Sequence, residues 1–360
     1  MRRNRGGISN AGIVLLTMLL LASLVGIGSS VIRAYDTGSD PQSDHDASLV
    51  VADDNTTQSA GQAPAEAPAE TAVTGADAWV GAAETQSALP AAAYAVPVGV
   101  TADAVHAYDP ATGQLLYAQA AQTRMPVGSI VKVTTALVTV EHAGLDETVL
   151  IDPTDLVDYT IYSNMGLVAG DTLTVEQLLQ GLLVASGGDA ARALARHVGA
   201  ALSGSDDPET ARAAFVDEMN AYAARIGLQN TRFTNAEGDD AEVSYSTAED
   251  VSILAGQLMA QPALAAITGE FDYTFTGADG EVTYTGYTTN VLLGESGIIG
   301  VKTGSTGDAG GCVVLARQTA DGGLIILTVL GSDLTYNELN QIIADARWDD
   351  ARLLFAQLPA

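Results

Sequence analysis

Pro126-Val-Gly-Ser-Ile-Val-Lys-Val-Thr-Thr-Ala-Leu137 takes the chain from a Pro/Gly loop into an apolar helical stretch. Pro126 and Gly128 supply turn geometry, and Ser129 to His142 then reads as a helix ended by Gly144. Ser129 therefore stands at a helix N-terminus, where unpaired N–H groups and the helix dipole favour negative charge. Lys132 follows three residues later on the same helix face, which brings its amine within reach of the Ser129 hydroxyl. A serine needs a base to become a nucleophile, and a lysine whose pKa is lowered by burial and a neighbouring cation can serve. Taken alone, the Ser-x-x-Lys pattern recurs by chance.

Composition makes the lysine more telling. Of 15 basic residues only Lys132 and Lys302 are lysine, the rest being arginine. A chain so poor in lysine should keep it where the amine must lose a proton or act as a compact charge. Lys302 lies in Gly300-Val-Lys-Thr-Gly304, an extended stretch that can offer an ammonium and the Thr303 hydroxyl to a carboxylate, with Gly304 letting a bound peptide approach the backbone.

At 360 residues and 47% hydrophobic content the chain can bury a large core. The net charge of -29 and the pI near 4.1 argue against nucleic acid or an anionic membrane surface as partner. A single cysteine, Cys312, excludes an intramolecular disulfide and a Cys-rich metal site. It reads as a small buried side chain. His45, His106, His142 and His197 fall in no motif, so a Ser-His-Asp triad has no support and satisfied or solvated imidazoles are expected.

Arg2, Arg3 and Arg5 precede an apolar run from Ala11 to Ile32 that Arg33 closes, with no clear Ala-x-Ala cleavage site. Residues 1–33 are therefore expected to be a signal or uncleaved membrane anchor with the remainder outside the cell. Residues 34–90, rich in Asp, Ala and Pro, cannot bury enough apolar surface to offset chain entropy and read as a disordered acidic linker. Residues 91–360 are left as one folded domain.

Within it, Val105 to Tyr108 and Gln114 to Ala118 predict a hairpin around Asp109-Pro-Ala-Thr-Gly113. Thr174 to Ala185 opens with a Thr174-x-x-Gln177 capping box and gathers Val175, Leu178, Leu179, Leu182 and Leu183 on one face. Asp207-Pro208 opens a further helix that Gly227 stops. Strands are expected at 273–275, 282–284, 300–303, 311–317 and 324–330, and a closing helix from Ile343 to Phe355. The pattern predicts an α+β domain whose antiparallel sheet draws on both chain ends, with a helical middle.

Ser129-x-x-Lys132, Ser186-Gly-Gly188 and Lys302-Thr-Gly304 occur in the order of the Ser-x-x-Lys, Ser-x-Asn and Lys-Thr-Gly motifs of penicillin-binding proteins and class A β-lactamases. With Leu178-Leu-Gln-Gly-Leu-Leu-Val-Ala-Ser-Gly-Gly-Asp-Ala-Ala191, Phe233-Thr-Asn-Ala-Glu-Gly238 and Tyr245-Ser-Thr-Ala-Glu-Asp250, the chain from Ala91 to Phe355 resembles the low-molecular-weight D-alanyl-D-alanine carboxypeptidases. The resemblance implies a β-lactamase/transpeptidase-like fold and a serine-type D-Ala-D-Ala carboxypeptidase that trims peptidoglycan stem peptides and binds β-lactams covalently. It makes Ser129 the acylated nucleophile, Lys132 the base, Ser186 a proton relay, and Lys302 with Thr303 an electrostatic clamp. Gly304 and Ser305 complete the substrate-binding strand, and the N–H groups of Ser129 and Ser305 form the oxyanion hole. Neither metal nor organic cofactor is implied.

Two departures bear on the expected chemistry. Gly188 stands where the family has Asn, whose amide would contact the lysine amine and the substrate carbonyl; an Asn restored there is expected to speed acylation if the pocket keeps its geometry. Gly331 to Gln341 lacks the arginine that the family often places near the substrate carboxylate, so either Lys302 acts alone or Arg347 reaches in. Asp189 reads as a helix N-terminal stabiliser. The competing readings are a β-lactamase, for which no deacylating Glu motif follows Ser186, and a low-activity module that binds or senses D-Ala-D-Ala peptides or β-lactams.

Overall fold

β1 (Ala104–Tyr108) and β2 (Leu115–Gln119) pair as the expected antiparallel hairpin. Asp109 closes its turn by accepting the Ala111 N–H at 2.8 Å and the Thr112 hydroxyl at 2.7 Å. The computed structural model describes residues 91–239, 244–338 and 341–359. The expected anchor and acidic linker lie outside the described residues. The chain divides into two units, Met1–Ala69 and Glu70–Ala360, and every described residue belongs to the second.

A short 3-10 turn, Gly128–Val131, leads into α1 (Lys132–His142). A two-stranded ribbon, β3 (Thr148–Leu150) with β4 (Thr172–Thr174), follows. It delivers the chain to α2 (Val175–Leu183), which starts with the reciprocal Thr174–Gln177 capping box and buries the five apolar residues expected on its face. α3 (Gly188–Ser203) and α4 (Pro208–Arg225) pack side by side; Asp207 caps the latter through the Thr210 N–H at 2.9 Å. α5 (Ala248–Met259), capped by Thr247, and α6 (Pro262–Thr268) complete the helical middle. β5 (Asp272–Thr276) and β6 (Thr283–Tyr287) form a ribbon of their own.

The last third of the chain contributes β7 (Ile298–Thr306), β8 (Gly310–Gln318) and β9 (Leu324–Ser332). The five-stranded sheet runs β2-β1-β9-β8-β7, antiparallel throughout, so both chain ends build it as expected. Alternate residues of its central strands enter two cores. Cys312, Val314, Ala316, Ile326 and Leu330 face the helical middle. Val313, Leu315, Ile325, Leu327 and Val329 face Ala351, Leu354 and Phe355 of the closing helix α7 (Arg347–Phe355). Cover on both faces is why these strands read as continuous apolar runs.

The closing helix is shorter than expected. Ile342 and Ile343 are 41% and 64% exposed and belong to β11 (Ile342–Asp345), paired with β10 (Leu334–Tyr336). So exposed, they do not form the buried stripe of an amphipathic helix, and α7 begins only at Arg347.

Candidate active site

The 128–131 turn lies directly against β7, and glycine makes this possible on both sides. A Cβ on Gly304 would sit 2.5 Å from the Val127 carbonyl oxygen, and one on Gly128 would sit 3.1 Å from Thr306 Cγ2 and 3.4 Å from Ser305 N. The space that Gly304 was expected to leave for a bound peptide is thus taken by the chain's own backbone. Gly128 also has φ of +53°, which an L side chain rarely adopts.

Ser129 and Lys132 meet as the spacing predicts, with Lys132 Nζ 2.8 Å from Ser129 Oγ. The amine also donates to the carbonyl of Glu237. Lys132 is 2% exposed, and burial pushes its pKa down to about 8 against the opposing charges of Glu237 and Asp189. Across the site, Lys302 Nζ donates to Ser186 Oγ at 2.8 Å and to the Thr303 carbonyl at 3.0 Å. Lys302 is 1% exposed; burial, then the charges of Lys132 and Arg347, hold its pKa well below the ordinary lysine value. Ser186 sits between α2 and α3 at φ of +61°, a conformation costing a non-glycine residue about 1–3 kcal/mol. Thr303 shares a hydroxyl contact of 2.7 Å with Thr289. The structure therefore brings Ser129, Lys132, Ser186, Lys302, Thr303, Gly304 and Ser305 together as two serine–lysine pairs joined by β7.

Residues 91–333 match the peptidase family described as D-alanyl-D-alanine carboxypeptidase. The chain belongs to that family. The D-alanyl-D-alanine carboxypeptidase of Streptomyces sp. (strain K15) is 36% identical over 260 residues, covering 70% of this chain and 87% of its own length. The carboxypeptidase DacB2 of Mycobacterium tuberculosis is 32% identical over 246 residues, 68% of this chain and 77% of the relative. Among solved structures, the Streptomyces K15 DD-transpeptidase superposes with a TM-score of 0.63 at 35% identity, over 71% of this chain and 96% of that one. Penicillin-binding protein D2 from Listeria monocytogenes, in its cefotaxime-bound form, gives 0.58 at 27% identity over 72% and 98%. The fold is thus the α+β, penicillin-binding-protein fold, and the carboxypeptidase is a serine-type hydrolase of the cell wall; the β-lactamase and sensing-module readings are not favoured.

Around this frame three residues of the carboxypeptidase bear on the expectations. Arg347 does not extend toward a substrate carboxylate. It is 4% exposed and donates to the carbonyls of Gly304 at 2.6 Å and Cys312 at 3.1 Å while pairing with Asp345, bracing β7 through its backbone. Asp189 does more than stabilise a helix end. Its carboxylate accepts the N–H groups of Met165, Gly166 and Leu167 as well as that of Ala190, all near 3.0 Å, and so pins a loop onto the start of α3. His106 is 5% exposed, and its Nδ1 finds no hydrogen-bond partner among the described residues, so that nitrogen is not satisfied as expected. His142 and His197 pair with Glu218 and Glu147, and Cys312 is buried as expected, while His45 lies outside the described residues.

Sequence reasoning also missed residues that shape the site. Glu237 holds Lys132 through its main-chain carbonyl, and any residue can offer a carbonyl. Its carboxylate accepts from Arg192 at 3.4 Å. The Phe233-to-Gly238 stretch was the available signal. A Cβ on Gly238 would lie 2.2 Å from Gly128 O and 2.9 Å from Ser129 N, so this segment rests on the nucleophile's own turn.

Proposed function

We propose that the enzyme hydrolyses the terminal peptide bond of stem peptides ending in D-Ala-D-Ala, with Ser129 as nucleophile and Lys132 as its base. The observation that carries this is the part-buried contact of 2.8 Å between the amine and the Ser129 hydroxyl. Ser129 Oγ attacks the carbonyl of the penultimate D-alanine as its proton passes to neutral Lys132. Protonated Lys132 returns that proton through the Ser186 hydroxyl to the leaving nitrogen and free D-alanine departs; water then attacks the ester, giving a proton to Lys132, which passes it back to Ser129 Oγ as the ester bond breaks. The N–H groups of Ser129 and Ser305 receive the oxyanion, and Lys302 with Thr303 holds the substrate carboxylate. β-Lactams enter the same sequence and stop at the ester, in line with the cefotaxime-bound relative.

Family enzymes act on the wall, outside the cytoplasm; here residues 1–33 would anchor the enzyme to the outer face of the membrane and residues 34–90 would space it from the bilayer. A soluble mature form starting soon after Ile32 would overturn the anchor.

A fluorescent penicillin is expected to label the protein, with the adduct on Ser129 by mass spectrometry, and Ser129→Ala to abolish labelling. The parent should release D-alanine from a diacetyl-Lys-D-Ala-D-Ala peptide. An adduct on another serine, or labelling unchanged in the alanine variant, defeats the assignment.

A further inference from the structure

Gly188 offers no side chain where the middle motif needs one, yet the space above it is filled. A Cβ at 188 would meet the carbonyl oxygen of Ser163 at 3.3 Å and Cβ and Cδ1 of Tyr162 at 3.6 Å. The first of these distances is tight, so a side chain at 188 must displace the Ser163 carbonyl, and the other two put Tyr162 in van der Waals contact with it. The approach is built in: Gly188 N–H donates to the Ser163 carbonyl at 2.8 Å, and Asp189 takes three further N–H groups of the same loop, those of Met165, Gly166 and Leu167. The expected gain from Gly188→Asn required the pocket to keep its geometry, and the Ser163 carbonyl 3.3 Å from that Cβ opposes this.

From its place against Gly188 the Tyr162 ring extends to Asp239, whose carboxylate accepts the phenol hydrogen. Asp239 directly follows Glu237 and Gly238, the residues that hold the Lys132 amine and press on Ser129 N. Asn235 fixes the same bend, its side-chain oxygen accepting the N–H of Gly238 at 2.7 Å and of Asp239 at 3.2 Å. One side chain therefore spans the wall of the site from the middle motif to the segment that holds the base.

We propose that Tyr162 is a positioning residue for acylation: its ring occupies the place of the absent middle-motif side chain, and its hydroxyl, through Asp239, fixes the Glu237 carbonyl against Lys132. This rests on Lys132 being the base of the acylating serine. The role asks little of Tyr162 in substrate binding and much of it in the chemical step, so its loss should appear in the acylation rate constant rather than in affinity.

The test is a double-mutant cycle on the full-length protein, following acylation by a chromogenic cephalosporin with D-alanine release in parallel. Tyr162→Phe keeps the ring and should lower the acylation rate constant about tenfold, with the binding constant within about twofold of the parent. Gly188→Asn alone should also slow acylation, because the amide collides with the Tyr162 loop. Adding Tyr162→Ala to Gly188→Asn removes the ring carbon that faces position 188 while leaving the Ser163 carbonyl and the Cβ of residue 162, and the rate of the pair should differ about tenfold from the product of the two single effects, a coupling that independent sites would not show. Two results each overturn the proposal: additive rate effects of Tyr162→Ala and Gly188→Asn, or full acylation by a folded Tyr162→Phe protein. A parent that penicillin does not label at Ser129 would remove the underlying assignment and this inference with it, whereas a labelled parent with additive substitutions removes this inference alone.

Discussion

Lys132 is asked to be both buried and basic, and the two demands fix how the enzyme should respond to pH. Burial lowers its pKa to about 8, so at neutral pH about a tenth of the amines are unprotonated and able to take the Ser129 proton. The sign follows: raising pH through about 8 increases the competent fraction, so acylation should climb and then level off. Lys132→Arg cannot lose its proton and should eliminate acylation, whereas Lys302→Arg keeps a positive charge on β7 and should retain measurable activity. Acylation by a chromogenic cephalosporin followed across about pH 6–9 checks this; a rate that is flat or falls over that range would mean another group is the base. At this scale the sequence was legible wherever chemistry demands a residue type. Lys132 and Lys302 could be found because a lysine kept in so arginine-biased a chain points to an amine that can deprotonate or to a compact charge, and Ser129 by its place three residues before Lys132. Ser186 needed the family resemblance. The Glu237 carbonyl, Tyr162 and Asp239 were illegible, because a main-chain carbonyl has no sequence signature and Tyr162 meets Asp239 across 77 residues of chain.

Helices α3 and α4 show how elements are held at the distance the site requires. A Cβ on Gly199 of α3 would lie 1.8 Å from the carbonyl oxygen of Ala211 in α4, so the two backbones touch only because this position is glycine. Gly199→Ala must push α4 away from α3, whose first turn carries Gly188 and Asp189. The cost should be roughly 3 kcal/mol, at the upper end for overpacking because backbone rather than a flexible side chain must yield. Urea unfolding measures it, and a midpoint unchanged from the parent would show that the helices separate freely. Elements were legible where a local device marks them: the capping box of α2, the Asp207-Pro208 start of α4, and the turn between β1 and β2. β10 and β11 were not, since Ile342-Ile-Ala-Asp345 has an apolar content that suits a helix start as well as a strand. Exposure decided the matter, and exposure is set by what folds over the segment rather than by the segment.

Across the whole molecule the sheet joins strands from early and late in the domain, and a buried histidine lies within that joint. His106 on β1 stands opposite Thr328 on β9, and its ring lies 5.7 Å from that of Tyr108, which packs against Gly256 of α5. Burial lowers its pKa from 6.5 to about 4. The folded protein thus binds this proton only in acid, while the unfolded chain takes it up at its ordinary pKa. Stability from the neutral imidazole is full above pH 6.5 and is lost as pH falls from there to about 4, a loss of about 3 kcal/mol for this one group. His106→Phe removes the titration, fills similar volume and abandons no hydrogen bond at Nδ1. Between pH 6.5 and 4 the variant should therefore lose about 3 kcal/mol less stability than the parent, although carboxylates titrating in both proteins lower the two curves together. Urea unfolding of both proteins at a series of pH values isolates the difference. Curves that stay parallel through that range would show that the imidazole is hydrated in the folded protein, and that the joint between these strands is open to water.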